Sequence, residues 1–517
     1  MDSLSKDIFD ELKEEFQKLK HPQLDKNEVQ EKSNQDSVSK LDEILSKLKK
    51  DSPDYIKILA MVVSILYEKA KMALHEKTLE KSKEFLEKGL DLIKEDIDNP
   101  QITFVYLRII NYLSYVVSRM GDLERARTLL EAVVSKELLS EPIVYSTEDL
   151  FNVKKSDPRT NKVKIQKLMI NNMQMLGWIY GRQGLGDQYA DMIHRSLQKE
   201  LDLNDGDPIQ WATRCSKLAF LFLSQDKWDN ARYHLTAAQG VLDPLEIGLM
   251  PSPALFKAQA ELARIWVNYG LQIFSVSKKS FLENIWNESK ETPKSDEALV
   301  EEEKFRFSGL EVNLPRVPIK QIEKIEDARE LFSHTHRWLK RARLYYTLRD
   351  YPMQYVNIIL ELSELYRYLA FYEKDLDSQY EVHKKRYETL ETLSDILREV
   401  RPSCYTSVSV EIIREIMEVQ IELMNLNLKK LYNPGGETPA NGTDLQKRIA
   451  AVAHINAKIE SLCNVDDSSS KATVEDNIDI DKGLGEDTDE RNDRDNPRGA
   501  VNHSSGEGEA TVQEKPV

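Results

Sequence analysis

The chain has 517 residues, 40% hydrophobic, 8% aromatic and 31% charged, with a formal net charge of −16. This balance supports a buried core beneath a heavily charged surface, and its acidic sign disfavours nucleic-acid binding, which needs a basic face to neutralise phosphates. Apolar runs such as Ile56 to Tyr67 meet Lys and Glu too soon to span a bilayer, where roughly 20 apolar residues are needed, so no membrane span is expected.

Residues 1–20 read as an amphipathic acidic N-terminal helix. They lack the basic-then-apolar order and small-residue cleavage site of a secretory signal, which points to a cytoplasmic chain. After a polar linker at 21–36, residues 37–275 show apolar positions at i, i+3, i+4 and i+7, the period of helices with one buried stripe. A proline-bearing linker at 139–162 divides this block. Residues 276–326, with Pro293, Pro315 and Pro318, read as an insertion. A second helical block spans 327–463; after Asn433-Pro-Gly-Gly436 it closes on a short helix from Leu445 to Cys463. From Asn464 to Val517, 15 Asp and Glu stand against 6 Lys and Arg, with no Phe, Trp or Tyr. Ordering such a segment cannot recover its conformational entropy, so a disordered acidic tail is expected.

Between Ile102 and Leu242 a two-helix pattern recurs: a large apolar residue, a large-small pair three on, an aromatic or aliphatic residue four later, a turn, then a small residue opening the second helix. The first copy is Ile110, Leu113-Ser114, Val117, Gly121, Leu123, Ala126, Leu130 and Val133. The second is Leu176-Gly177, Tyr180, Gly184, Ala190 and Leu197. The third is Cys215, Leu218-Ala219, Phe222, Asp226, Trp228, Ala231, Leu235 and Ala238. Small residues at fixed places mark closely crossing helices. Upstream, Ile56, Leu59-Ala60 and Val63 open a similar pair running through Phe85 to Ile93. Downstream, Ala260 to Trp266 and then Ile359, Leu362-Ser363 and Tyr366 restart the pattern. The predicted fold is therefore an all-α, right-handed tetratricopeptide-like solenoid with long insertions. Its unequal repeats suit a dedicated protein binder.

No constellation carries catalysis. Three scattered cysteines, Cys215, Cys404 and Cys463, fit neither a disulfide framework nor a zinc site and read as reduced. Without a secretory signal, the tripeptides at Asn287, Asn441 and Asn502 are not expected to be glycosylated. Asn477 to Asp481 lacks the glycine and closing glutamate of a calcium loop. His334-Thr-His336 with Glu330 matches no zinc-ligand spacing and reads as exposed polar positions on a helix. Phosphate-loop and nucleophile-elbow motifs are missing, so no enzyme, metal or cofactor is expected.

The binding surface is sought on the first helices of the pairs. Trp178 and Phe220 stand two residues after the large position, on the flank turned to the groove, where aromatic anchors dominate binding energy. The candidate partner-binding residues are Met175, Trp178, Glu200, Lys217 and Phe220. Asn111 and Tyr115, Gln174 and Trp178, and Ser216 and Phe220 do not supply the Lys and Asn donors of a carboxylate clamp, which argues against capture of a peptide terminus.

Several blocks resemble the kinesin-binding protein family. They are Asp207-Pro-Ile-Gln-Trp-Ala212 with Lys217 to Ala238, Glu261 to Tyr269, Phe305-Arg-Phe-Ser-Gly309, Asp327 to Phe332, and Leu369 to Glu373 with His383-Lys-Lys-Arg386. Their order and spacing hold over about residues 55–430. The resemblance implies a partner, the kinesin motor domain, gripped in the solenoid's concave face and kept off microtubules, so that intracellular transport is regulated near the cytoskeleton. A motor's track-binding face is basic, so a mildly acidic groove would complement it. After about residue 433 the chain departs from the family pattern. On the residues alone, a scaffold or cargo adaptor for another protein or peptide stays open.

Overall fold

A computed structural model describes residues 3–20, 39–46, 50, 52–135, 147–151, 158–248, 252–286, 304–400 and 406–432. The linker at 21–36, the glycosylation tripeptides, Cys404, Cys463, the helix expected from Leu445 and the acidic tail lie outside these residues. Every regular element among the described residues is helical: α1 Ser3–Lys20, α2 39–46, α3 Tyr55–His75, α4 Leu79–Leu92, α5 Thr103–Arg119, α6 Leu123–Val134, α7 Thr147–Phe151 and α8 Pro158–Arg182. They continue as α9 Gly186–Leu203, α10 Pro208–Ser224, α11 Trp228–Gly248, α12 Pro253–Trp286, α13 Ile325–Tyr345, α14 Pro352–Tyr372, α15 Leu376–Val400 and α16 Thr406–Tyr432.

The chain is an α-solenoid in which α3/α4, α5/α6, α8/α9, α10/α11, α12/α13 and α14/α15 are the helix pairs, and α16 packs on α15 as one further first helix. The helices α1 and α7 pack on α3, with Phe16 stacked on Phe151 at 3.9 Å between ring centroids.

One local device repeats through the first four pairs. The first helix ends on a left-handed residue, Lys77, Gly121, Gly184 or Asp226. The next amide then donates back to the carbonyl five residues earlier: Thr78 to Ala73 at 2.9 Å, Asp122 to Val117 at 3.1 Å, Leu185 to Tyr180 at 2.9 Å and Lys227 to Phe222 at 2.9 Å. This is the Schellman closure, which satisfies carbonyls that a helix end leaves open. It also fixes the turn between the two helices of each pair. Glycine adopts that conformation freely, while Lys77 and Asp226 hold it against steric cost. Lys77→Gly is therefore expected to raise stability by about 0.5–1 kcal/mol, and Gly121→Ala to lower it by about 1–2 kcal/mol, in thermal unfolding.

The small residues sit at the crossings as the pattern requires. Ala126, Ala219, Ala231 and Ala238 are fully buried. The apolar interior falls into three stretches: one from α1 to α9, a second from α9 to α14, and a third between α14, α15 and α16. The helix α9 serves two of them, giving Met192 to the first and Ala190, Ile193 and Leu197 to the second.

The helix α12 continues through residue 276 to Trp286, and 304–324 is a strap with almost no helix. The strap buries Phe305, Phe307, Val317 and Ile322 in the second apolar stretch. Hydrogen bonds from distant helices fix its backbone: Phe307 N donates to Tyr233 Oη at 2.9 Å, Ser308 N to Gln198 Oε1 at 2.8 Å and Ile322 N to Ser277 Oγ at 2.9 Å. Arg306 pairs with Asp229, and Lys304 with Asp191 at 3.2 Å.

Candidate protein-binding surface

The left-handed residue that ends each first helix supplies a common register. Six residues before it stand Lys71, Tyr115, Trp178 and Phe220, and nine before it stand Glu68, Tyr112, Met175 and Lys217. The large-small pairs Leu176-Gly177 and Leu218-Ala219 point into the pair and are buried. The helical period then turns the following flank outward. Trp178 accordingly keeps 44% of its surface exposed and Phe220 39%, values far from those of the core aromatics Trp211, Trp266 and Trp338.

Four of the five sequence candidates share this register. The Arg182 guanidinium lies 5.8 Å from the Trp178 ring centroid. Met175 is half-buried against the N-terminal apolar stretch. Lys217 is exposed one turn before Phe220 and makes no ion pair with the described residues. Glu200 occupies a different place, on α9. Its carboxylate accepts from Gln174 Nε2 on α8 at 2.7 Å and pairs with Arg214 on α10. Burial pushes this carboxyl above its usual range, against the opposing pull of Arg214 and Gln174. Glu200 is thus a brace between neighbouring pairs beneath the exposed row.

The same register exposes a residue that the spacing argument passed over. Tyr112, on α5, is equivalent to Met175 and Lys217; its ring centroid lies 5.2 Å from Tyr67 and 6.3 Å from Tyr115. Arg108 sits 4.1 Å above Tyr67 and pairs with Glu68 at 3.5 Å. Desolvation raises the Tyr112 hydroxyl to about 12, so it stays a neutral donor at physiological pH. A row of Tyr112, Tyr115, Met175, Trp178, Lys217 and Phe220 results, with apolar rings for contact area and amphipathic edges for hydrogen bonds.

His334 corrects the sequence reading. It is buried, not exposed: Trp338 Nε1 donates to its Nε2 at 3.0 Å, Arg337 Nη2 lies 3.1 Å from Nδ1, and the Trp266 ring centroid is 4.7 Å away. Burial brings its pKa down to about 4, which leaves a neutral imidazole that accepts at one ring nitrogen, Nε2, and carries its proton on the other. The face of α13 that carries it packs on α12, a placement that local polarity does not encode. Among the described residues no group of three His, Cys, Asp or Glu side chains is placed to hold a metal ion, and no helix is long and apolar enough to cross a membrane.

Residues 209–481, just over half the chain, match the family model described as KIF-1 binding protein C terminal. The chain belongs to the kinesin-binding protein family. It is a family of binding proteins, not of enzymes. The KIF-binding protein of Drosophila melanogaster is 25% identical over 341 residues, covering 60% of this chain and 56% of the relative. That of Bos taurus is 23% identical over 421 residues, covering 74% and 67%. The match thus spans less than two thirds of the fly protein's own length. In fold, the chain resembles two solved structures, described as a cryo-EM map of KIFBP and as kinesin binding protein. Their TM-scores are 0.57 and 0.55 at 18% and 15% identity, and each match covers 89% of this chain and 81% or 82% of the other.

Proposed function

We propose that this chain binds kinesin motor domains on the first-helix face of its solenoid and keeps them off microtubules, so regulating microtubule-based transport in the cytoplasm. The observation that carries this reading is the row from Tyr112 to Phe220, a partly exposed aromatic surface in a chain whose family is named for binding kinesins. First helices line the concave side of a repeat stack, the extended surface such proteins offer to a folded partner. Glu422 on α16, the last of these helices among the described residues, is an exposed acidic group that would complement a basic track-binding face.

Co-sedimentation tests the proposal. Excess of this protein is expected to shift a kinesin motor from the microtubule pellet to the supernatant; a motor that stays in the pellet at high excess rules the reading out. Binding of an unrelated protein or peptide in its place identifies a scaffold or adaptor. Trp178→Ala and Lys217→Glu are each expected to weaken motor binding by about 1–3 kcal/mol while leaving the melting temperature unchanged. Titration calorimetry gives the affinity. Unchanged affinity in both variants removes the row from the interface.

A further inference from the structure

Between the strap and α13 lies an open cleft of about 430 Å³ that shares no residue with the first-helix row. Pro315, Arg316 and Val317 line its strap side. Arg329, Ser333 and Arg337, each four residues from the next, bring one edge of α13 to it, and Glu330 and His334 bring the adjoining edge. Glu373 holds Arg329 in a fork at 3.0 and 2.7 Å. Arg316 and Arg337 pair with no carboxylate among the described residues, and Glu330 is the one acidic residue on the walls.

His334 supplies the deciding observation, because it is only 7% exposed and still lines the cleft. Trp338 Nε1 can only donate, so His334 Nε2 accepts and Nδ1 carries the proton. The Arg337 guanidinium, also a donor alone, lies 3.1 Å from that Nδ1. Two donors thus converge on one place in the wall, and no acceptor among the described residues engages the imidazole N–H. Buried donors are normally satisfied, and a single oxyanion oxygen facing both would accept from both.

We propose that this cleft binds a phosphate monoester, the phosphorylated side chain of a partner polypeptide. One phosphate oxygen accepts from His334 and Arg337, which leaves the others to Arg316 and the Ser333 hydroxyl. Donors on both sides of the cleft suit the three oxygens of a phosphate better than the two coplanar oxygens of a carboxylate. Guanidinium forks match phosphate geometry and keep their charge throughout the physiological range. The cleft is larger than an inorganic ion needs, and Pro315 and Val317 make part of its wall apolar, so the phosphate arrives on a carbon-bearing residue.

Titration calorimetry on the full chain tests this with N-acetyl-phosphoserine methylamide as the probe. The controls are N-acetylserine methylamide, N-acetylaspartate methylamide and inorganic phosphate. The phosphorylated probe is expected to bind at one site per chain, about tenfold or more tightly than any control. Arg316→Ala and Arg337→Ala are each expected to weaken it about tenfold, the loss of one charge-assisted hydrogen bond. Arg316 is exposed on the strap, so its variant keeps the fold. Glu330→Gln is expected to tighten binding about twofold by removing a like charge, and Lys217→Glu, in the first-helix row, to leave it unchanged. Equal affinity for the aspartate derivative would make the cleft a carboxylate site, and equal affinity for inorganic phosphate a general anion site. Either result overturns the proposal, as does a probe that fails to bind or that binds equally well after both arginine substitutions.

Discussion

Arg386→Ala is expected to destabilise the last helical pairs by about 3–5 kcal/mol, the cost of breaking a buried ion network by removing one partner. Arg386 is 0% exposed on α15. Its Nε donates to Ser363 Oγ on α14 at 2.9 Å, and its Nη2 to Glu415 Oε2 at 2.6 Å and Glu418 Oε1 at 3.4 Å on α16. Ser363 Oγ donates in turn to Glu415 at 3.1 Å, and Arg367 Nη1 to Glu418 at 3.3 Å. Burial alone would raise the Glu418 carboxyl, but Arg386 and Arg367 outweigh it and hold the group below its usual range. With Arg386 gone, Glu415 keeps its place in a poorly hydrated site without a counter-charge. Arg386→Lys retains the charge and loses the fork, so it is expected to fall between. Because repeats contact only their neighbours, the damage should stay local. Hydrogen exchange is the readout: faster exchange confined to α14, α15 and α16 supports the network's role, whereas unchanged exchange there removes it.

Arg386 also shows where sequence reasoning stopped. The helices were legible because their signals are local: the apolar period, the small residues at crossings, and Gly121, Gly184 and Asp226 at the turns. A fourth turn was missed, since Lys77 in a left-handed conformation carries no compositional mark. Charged and polar residues misled for a related reason. His334 read as exposed because the ring that covers it, Trp266, lies on another helix, and the partners that make Arg386 an interior group likewise stand on α14 and α16. Trp178, Phe220 and Lys217 could be placed on an exposed flank because the flank follows from the helical period alone. Tyr112 needed the repeat register that the turns define. Glu200 could be picked out, but its part as a brace could not, since Gln174 and Arg214 approach it from two different helices.

The strap was the least legible element, and its anchor carries the other large effect. Phe307→Ala is expected to cost about 3–5 kcal/mol near neutral pH, the range for emptying a buried aromatic site. The ring stacks on His194 at 4.5 Å and touches Trp211, Tyr233 and His234 at centroid distances of 5.2, 6.0 and 5.2 Å. Beneath it the two histidines form a buried chain. His234 Nδ1 lies 2.7 Å from Asn230 O and so carries a proton; its Nε2 then accepts from His194 Nδ1 at 3.2 Å. Burial lowers His194 to about 4 and His234 to about 3, with the cations Lys304 and Arg306 adding to, and Asp191 opposing, the effect on His194. Both folded pKa values lie below the unfolded value of roughly 6.5, so the unfolded chain takes up protons first as pH falls. The stability these groups contribute is complete above that pH and declines through the window down to about 4 and 3. Removing the Phe307 ring admits water to His194, raises its folded pKa toward the unfolded value and flattens that decline. The gap between wild type and variant is therefore expected to be largest near pH 7 and to narrow toward roughly pH 5. Urea unfolding at the two pH values decides it: a constant or widening gap would separate the strap from the histidine pair and leave Phe307 with a packing role alone.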